Sequence, residues 1–338
     1  MQFRCNICDA ANELQPEGFG RDDASCGKCR STVRLRGLLH ALSMEIFGIP
    51  LALSEFPEMK SIRGMGMADQ MECASLLESR FDYRNTHYHS APQFDISAPP
   101  AERGIFDFIL AGDIFEHVLP PARQSLANAC ALLKPHGFLA MTVPYSPEGT
   151  TREHFPELHE SGLATVGGRL ALVNRTRTGE WQVFDDVVLH GGHGSTVELR
   201  LFAERDLRAD LASAGFRDVR FASDAYPPFG IAYRESWSLP LIAAKEPFIL
   251  SRDGVAELAR QLVHQREMEA ELKRFQGEFE ERTQWAMELN AELKRREAAA
   301  PGLYEDLNQA RFRLAFWEAS RWTRLGRALG FGPKLPSP

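Results

Sequence analysis

The sequence lacks an uninterrupted apolar run long enough to cross a membrane, and its first residues lack the apolar core of a signal peptide. The most apolar early stretch, residues 37–56, is interrupted by His40 and Glu45, so we interpret it as a buried helix. These absences predict a cytoplasmic protein. In that compartment cysteines are expected as thiols or metal ligands rather than as disulfides.

An excess of positive charge is also missing. The 338 residues include 39 Lys and Arg against 46 Asp and Glu, which gives a net charge of −7. A nucleic-acid partner is not expected, because binding to its backbone depends on a positive surface, although a local patch would suffice. Hydrophobic residues make up 44 % of the chain, enough to bury a core. The length suggests about two domains with additional segments.

Four of the six cysteines form two Cys-x-x-Cys pairs, Cys5 with Cys8 and Cys26 with Cys29. Two residues between cysteines allow a tight turn to aim both sulfur atoms at one ion, and two such turns complete a tetrahedron. The spacing predicts a structural zinc ribbon over residues 1–35, with Zn²⁺ held by these four side chains. Four unrelated buried thiols, or a redox pair, are the alternative interpretation.

Three arginines, Arg30, Arg34 and Arg36, follow the second cysteine pair. A zinc ribbon flanked by arginines can bind nucleic acid. We favour a plainer interpretation, in which these side chains are solvated on the first helix of the next domain. The two remaining cysteines, Cys73 and Cys130, lie in apolar surroundings and are expected to pack in the core.

Short apolar runs alternate with amphipathic segments between about residues 60 and 246, which is the pattern of a sheet covered by helices. Residues 60–66 predict a strand that runs into a glycine turn. Residues 106–111 form a near-continuous apolar run, as a buried parallel strand requires. A helix is predicted over 121–133 and another strand over 138–143. An antiparallel hairpin is expected to end the sheet.

Two motifs carry a resemblance to a known family. The chain reads FDFILAGDIFEHV over residues 106–118 and LLKPHGFL over residues 132–139. This order resembles class I S-adenosylmethionine-dependent methyltransferases, which show such an acidic-histidine strand end, a helix, a lysine-proline-glycine turn and a strand. The resemblance implies an α/β fold with a Rossmann-like class I methyltransferase sheet over residues 36–250, with an insertion at about 146–200. It also implies S-adenosylmethionine as cofactor.

The residues implied as cofactor-binding begin with the glycine-containing segment RGMGMAD at residues 63–69. Gly64 and Gly66 would let the backbone approach the ligand, and here the acidic residue, Asp69, follows the glycines instead of preceding them. Asp95 resembles the acid that contacts the adenine amino group in the family. A turn or helix cap is the alternative role for Asp95.

Three more candidates follow the strand predicted at residues 106–111. Asp113 and Glu116 are expected at the edge of the sheet where ligands bind in doubly wound folds, so we assign them to the cofactor. His117 is a candidate catalytic residue at the same edge. The alternative for Glu116 and His117 is a pair of residues at a helix start.

The predicted insertion holds the other candidate bases. His190 and His193 flank two glycines, and transfer of a methyl group to an alcohol benefits from a general base. The same histidines could instead shape a turn. A metal site that also includes Glu153 or His154 is a third interpretation, although no carboxylate cluster in the sequence requires one.

A second resemblance concerns the acceptor. YRNTHYH at residues 83–89 and FDDVVLHGGHGSTVELRLF at 184–202 resemble a subgroup of bacterial methyltransferases. Members of this subgroup often accompany glycosyltransferases of cell-surface polysaccharide assembly. The resemblance implies O-methylation of a cell-surface glycan or a lipid-linked sugar precursor, and a glycosyltransferase as partner.

The composition changes over residues 251–300, which are rich in Glu, Arg, Gln, Ala and Leu and contain no proline before Pro301. A seam of residues recurs there in alternating steps of three and four. It consists of Leu272, Phe275, Phe279, Arg282, Ala286, Leu289 and Leu293. The pattern predicts a long helix, and we expect a coiled coil that forms a homo-oligomer or docks a partner. A helix folded back onto the enzyme is the alternative.

The tail, residues 301–338, combines arginine with aromatic residues. The residues in question are Arg311, Phe312, Arg313, Phe316, Trp317, Arg321, Trp322, Arg324 and Arg327. Arginine beside tryptophan suits peripheral contact with anionic lipid at the inner face of the membrane. It also suits docking to a glycosyltransferase or packing within the protein.

Two rival functions remain beside the methylation of a glycan. A zinc-ribbon RNA methyltransferase would need a basic face, against which the net charge speaks. A non-catalytic, methyltransferase-like scaffold would have lost the cofactor through its irregular glycine segment. The binding of S-adenosylmethionine distinguishes the scaffold from both enzymes.

Overall fold

A computed structural model of the chain describes residues 2–98, 100–190 and 196–330. The protein consists of two compact units, Met1–Gln261 and Leu262–Pro338. Within the described residues, no helix is both long and apolar enough to cross a bilayer.

The N-terminal residues 2–32, which we call the cysteine module, contain a small antiparallel hairpin. Its strands are β1 (Gln2–Arg4) and β2 (Ala11–Glu13). Helix α1 (Val33–Phe47) follows at once, because the Thr32 hydroxyl caps it by accepting from the Leu35 amide at 3.2 Å. Helix α1 therefore begins four residues before the predicted buried helix, residues 37–56, and ends within that segment, at Phe47.

Four neighbouring strands of the main sheet are parallel. They are β3 (Met59–Met67), β4 (Phe81–Thr86), β5 (Phe106–Gly112) and β6 (Leu133–Thr142). Two helices connect them, α2 (Met71–Arg80) between β3 and β4 and α3 (Ala122–Leu132) between β5 and β6. β5 is buried on both faces, as its apolar sequence predicts.

An insertion of short strands follows β6. These strands are β7 (Tyr145–Ser146), β8 (Arg152–Glu153), β9 (Glu160–Val166), β10 (Arg169–Arg175), β11 (Trp181–Phe184), β12 (Leu189–His190), β13 (Thr196–Val197) and β14 (Arg200–Ala203). β9, β10 and β11 form a separate antiparallel sheet, whereas β14 pairs with β7 and β8. The insertion therefore has a fold of its own beside the central sheet.

The central sheet is completed after the insertion. Helix α4 (Glu204–Ala214) ends at Gly215, whose φ of 108° is favourable only for glycine. Strands β15 (Asp218–Phe221) and β16 (Leu241–Ala244) follow. The strand order is β15-β16-β6-β5-β3-β4, and β16 is antiparallel to both neighbours. The expected Rossmann-like sheet is confirmed, as a mixed sheet that ends in the expected antiparallel strands.

Helices cover both faces of this sheet. Buried residues of α1 and α2 pack on one face with Phe108 and Phe138, which are fully buried. Buried residues of α3 and α4 pack on the other face with Ile109 and Leu139. The side chains of β5 and β6 thus alternate between two apolar layers.

Two local predictions differ from the structure. Gly64 and Gly66 lie inside β3, paired with β4 and β5, rather than in a turn after it. Strand β6 starts at Leu133, so residues 133–137 extend the strand beside Phe106 with a shift in register, although they contain a proline and a glycine. A strand tolerates proline and glycine at a bulge of this kind.

The second unit is helical. Helix α5 (Arg252–Ala319) continues through Pro301, beyond the predicted end near residue 300. Helix α6 (Arg321–Ala328) follows, capped by the Ser320 hydroxyl. The long helix predicted from composition is confirmed, and the basic aromatic tail is helical over much of its length.

Candidate functional site

The four predicted zinc ligands converge. The Sγ atoms of Cys5 and Cys29 lie 3.7 Å apart, those of Cys8 and Cys26 lie 3.6 Å apart, and all four atoms lie within 4.8 Å of one another. A Zn–S bond of about 2.3 Å gives tetrahedron edges of about 3.8 Å. The cluster is therefore compatible with a structural zinc site. Within the described residues it is the one group of three or more such ligands.

Polar groups around Cys26 favour its thiolate form, whereas burial raises the pKa of Cys5 and Cys8. The amide side chain of Asn12 donates to Cys26 Sγ at 3.6 Å, and its oxygen accepts from the Gly27 amide at 2.9 Å. Burial opposes ionisation of Cys26, but the backbone amides of Cys29 and Lys28 outweigh it and lower the pKa to about 6. A low pKa at this position makes a metal ligand available at neutral pH.

Arg36 is fully buried, which corrects the expectation that it lies in solvent. Its Nε donates to the Phe229 carbonyl at 3.0 Å and its Nη2 to the Gly230 carbonyl at 2.9 Å. Its guanidinium also lies 4.9 Å from the ring centroid of Phe3 in the cysteine module. The side chain therefore ties this module to the C-terminal part of the central domain.

The candidate ligand crevice lies at the carboxyl ends of the parallel strands. Chain order reverses between β3 and β5, since β4 lies on one side of β3 and β5 on the other. Open α/β sheets bind ligands at such a switch point. Asp113 directly follows β5 there, with a left-handed φ of 56°. Thr142, the last residue of β6, donates its hydroxyl to Asp113 Oδ1 at 2.8 Å.

Two arginines from outside the sheet bind Asp113. Arg21, from the cysteine module, donates from Nη1 at 2.9 Å and from Nη2 at 2.5 Å to its two oxygens. The Nε of Arg34, on α1, lies 3.2 Å from Oδ2. Burial opposes ionisation of Asp113, but Arg34 and Arg21 together lower its pKa below the ordinary value.

Glu116 is the second acid of this crevice and is fully buried. Neither carboxyl oxygen has a hydrogen-bond partner among the described residues. Burial, with the neighbouring charge of Asp113, raises the pKa of Glu116 well above its ordinary value. A buried carboxyl group without a hydrogen-bond partner is costly, so Glu116 is a candidate contact for a polar ligand.

His117 lies beside Glu116, with Nε2 at 3.7 Å from Oε1 of that residue. Its Nδ1 lies 2.8 Å from the carbonyl oxygen of Val197 in the insertion. A carbonyl only accepts, so Nδ1 carries the proton, and in the neutral ring Nε2 is the basic nitrogen. Of the three predicted bases, His117 is therefore held by the insertion in a defined tautomer.

Asp69 belongs to a separate polar pair, because the Tyr83 hydroxyl donates to its Oδ2. Desolvation raises the pKa of Asp69 to about 7, against the opposing effect of this hydrogen bond. A Cβ atom at Gly66 would overlap both groups, and one at Gly64 would overlap the buried Phe108 ring. The two glycines thus make room for side chains of the protein itself.

Asp95 lies in a turn, where its Oδ1 accepts from the Ser97 amide at 2.9 Å and from the Ser97 hydroxyl at 2.7 Å. This is the turn role left open by the sequence. The structure places Asp95 in the loop after β4, with no contact to Asp113 among those described.

The structure describes only some of the candidate site residues in the insertion. Glu153 Oε1 accepts from the buried Arg200 at 2.8 Å, and His154 Nε2 lies 3.1 Å from Glu198 Oε1. His193 lies outside the described residues. His190 ends β12, where its backbone pairs with Thr196, and its side chain is not among those described. The insertion therefore contributes no metal-ligand group within its described residues.

Sequence reasoning missed Arg21 and assigned Arg34 to solvent. Both side chains meet Asp113 across the fold, and Arg21 is 92 positions away from it in the chain. No local pattern marks Arg21, because its neighbours form an ordinary polar loop between two cysteine pairs. Only the docking of the cysteine module on the sheet brings it to the crevice.

No protein-family model and no curated protein matches the sequence. Among solved structures, 1,6-didemethyltoxoflavin-N1-methyltransferase of Burkholderia thailandensis is 16 % identical, with a TM-score of 0.33 over 60 % of this chain and 73 % of its own. The sugar N-methyltransferase KedS8 of Streptoalloteichus sp is 16 % identical, with a TM-score of 0.33 over 55 % and 80 %. The (4+2)-cyclase SpnF is 17 % identical, with a TM-score of 0.29 over 61 % and 65 %. Similarities at this level carry no argument about activity.

Proposed function

We propose that the chain is an S-adenosylmethionine-dependent methyltransferase whose cofactor lies at the carboxyl ends of β3 and β5. The observation that carries this proposal is the cluster of the largely buried Arg21 and Asp113 with the fully buried Glu116 at the switch point of the sheet. The two motifs at residues 106–118 and 132–139 support it independently. The unpartnered oxygens of Glu116 fit a polar ligand at this position.

The bound cofactor would supply a methyl group on a positively charged sulfur atom. Asp113 and Glu116 would lie at the amino-acid end of the cofactor, and Asp69 would lie just after the end of β3. Asp95 remains a proposed contact for the adenine ring. Gly64 and Gly66 would act indirectly, since they make room for Phe108 and for the Asp69–Tyr83 pair.

We propose His117 as the general base for an alcohol acceptor. Its Nδ1 is engaged by the carbonyl of Val197, so Nε2 is the nitrogen that takes the proton from a hydroxyl group. Correct positioning of acceptor and methyl group supplies the rest of the rate. His190 and His193 are alternative bases, and a His117→Gln variant with unchanged kcat would favour one of them.

The proposed acceptor is a sugar of a bacterial cell-surface glycan or of its lipid-linked precursor, methylated on oxygen. Support comes from the motif at residues 184–202 and from the three-stranded sheet of the insertion. Trp181 on β11 is 71 % exposed, which offers a flat face to a sugar ring. A Trp181→Ala variant should raise KM for a sugar acceptor with little change in cofactor affinity.

Calorimetry with S-adenosylmethionine and S-adenosylhomocysteine tests the proposal. We expect binding to the full chain, and we expect Asp113→Asn to weaken it about tenfold or more. Transfer of a labelled methyl group should then be measured with nucleotide sugars, lipid-linked oligosaccharides and RNA. Absence of binding at millimolar cofactor would support the non-catalytic scaffold, and transfer to RNA alone would support the RNA methyltransferase.

Two partner surfaces are proposed for the second unit. The seam of α5 would form a homo-oligomer, because its apolar members are more than half exposed on this unit. The helical tail would contact an anionic bilayer, since residues 307–329 hold five arginines against one acid and Trp322 is 83 % exposed. Flotation with anionic but not with neutral vesicles is expected. Retention of a glycosyltransferase without flotation would favour protein docking instead.

A further inference from the structure

Arg21 connects the cysteine module to the proposed cofactor site. It belongs to the loop between the two cysteine pairs, yet its guanidinium lies at the end of β5 and makes a two-pronged contact with Asp113. Its side chain is 13 % exposed, and a contact of this geometry is typical of arginine positioned for carboxylates. The cysteine module therefore forms one wall of the crevice.

The largely buried groups in this wall carry more positive than negative charge. Arg21 and Arg34 are two fixed cations, and Asp113, whose side chain is 19 % exposed, is the one largely buried acid that they both touch. Asp22 also contacts both arginines, but its side chain is 61 % exposed and therefore solvated. Burial raises the pKa of Glu116, and an adjacent ammonium group would favour its ionised form. One more carboxylate would neutralise the positive charge that remains on the two arginines.

The hydrogen bonds in the wall are incomplete as well. The Nε of Arg21 is a buried donor without a partner among the described residues, and both oxygens of Glu116 are buried without one. A ligand that brings a carboxylate and an ammonium group would satisfy all three atoms. Arg21 can donate from Nε to this additional partner and still hold Asp113, because the contact with Asp113 uses Nη1 and Nη2 only.

We propose that Arg21 binds the carboxylate of the cofactor's amino-acid end, while Glu116 receives its ammonium group, so that the cysteine module is part of the cofactor site. This inference rests on the proposed function. It also explains why a module whose metal chemistry is only structural is docked at this edge of the sheet. Arg21 is then a binding residue, and Arg34, which touches Asp113 and Thr142, positions Asp113.

The test compares three ligands by calorimetry on the full-length, zinc-loaded chain. S-adenosylhomocysteine carries both the carboxylate and the ammonium group, its decarboxylated analogue carries the ammonium group alone, and 5′-methylthioadenosine carries neither. Arg21→Gln should weaken S-adenosylhomocysteine about 10- to 100-fold and leave the other two ligands within about threefold. Glu116→Gln should weaken the first two ligands and spare 5′-methylthioadenosine.

Arg4→Gln is the matched control. Arg4 also lies in the cysteine module and pairs with two acids, Asp9 and Glu55, but away from the crevice. It should leave all three affinities unchanged. Equal losses for all three ligands in Arg21→Gln, or no loss, would overturn the inference. If the unmodified protein bound none of the ligands, the proposed function itself would fail, whereas equal affinity for all three would overturn this inference alone.

Discussion

At the scale of single residues, the glycines of β3 show the clearest difference between the predicted role and the position in the structure. The sequence assigns Gly64 to the cofactor, whereas in the structure a Cβ atom there would enter the ring of Phe108, which is fully buried. Gly64→Ala should therefore lower the free energy of unfolding by about 1–3 kcal/mol, because the core around Phe108 has no space for a methyl group. Urea unfolding of the purified variant measures this loss.

Gly162 provides the control for this substitution. It lies in β9 with nothing within 4 Å of an added Cβ atom, so Gly162→Ala should leave stability almost unchanged. A Gly64→Ala protein of normal stability but weakened S-adenosylhomocysteine binding would show that the glycine serves the ligand directly, as the sequence suggests.

Asp69 gives a prediction about pH. Its pKa is raised to about 7 in the folded protein, mainly by desolvation, from an ordinary value of 3.8. Between these values the folded state holds a proton that the unfolded state has lost, so this residue lowers stability as pH rises from about 4 to 7. The stability of Asp69→Asn relative to the unmodified protein should therefore be higher at pH 8 than at pH 5.5.

Urea unfolding at the two pH values measures this difference, and the comparison between variants cancels effects that both proteins share. The exposed Asp224→Asn serves as control and should show the same difference at both pH values. A stability difference between Asp69→Asn and the unmodified protein that does not change with pH would contradict the assigned burial of this carboxyl group.

At the scale of elements, the sequence predicts best where one physical signal dominates. Helix α4 ends at Gly215, where the left-handed conformation requires glycine. β5 was equally clear, because a strand buried on both faces is apolar throughout. β6 was predicted five residues too late, because Pro135 and Gly137 usually end strands and only the pairing with Phe106 overrides them.

The sequence predicts those residues of the candidate site that follow one strand end. The motif at residues 106–118 placed Asp113, Glu116 and His117 together, since they follow one strand end. Arg21 could not be predicted, because it arrives through the docking of another module and leaves no pattern in its own segment. The cysteine ligands were predictable because tetrahedral coordination dictates their spacing.

The cysteine module makes its own prediction at this scale. Cys26→Ser should lose bound zinc and lower the melting temperature by at least about 5 °C, because a structural metal site contributes directly to folding. Cys130→Ser is the control, since Cys130 is also buried but packs against α4 and the sheet. Metal analysis should find about one zinc per chain in this control. Equal zinc content in both variants would refute the assignment of the four ligands.

At the scale of the whole molecule, the second unit distinguishes this chain from a bare enzyme domain. In the described part of the second unit, residues 262–330, the chain forms most of α5 and the short α6, and the seam residues are exposed there. An exposed apolar stripe of this kind on a helix is the feature from which we propose a contact surface. The cysteine module lies within the first unit, so the proposed catalytic and assembly roles fall on separate parts of the chain.

The last prediction follows from this division. Light scattering should give the full chain a mass of at least twice 37.9 kDa, and a fragment ending at Gln261 should be monomeric. Phe279→Glu, which places a charge in the seam, should dissociate the oligomer, because a buried unpaired carboxylate is costly. Gln284→Glu adds the same charge at an exposed polar position outside the seam and should leave the mass unchanged. If the full chain is monomeric at micromolar concentration, or if both variants dissociate alike, the seam does not hold the protein together, and α5 must instead be covered by another partner.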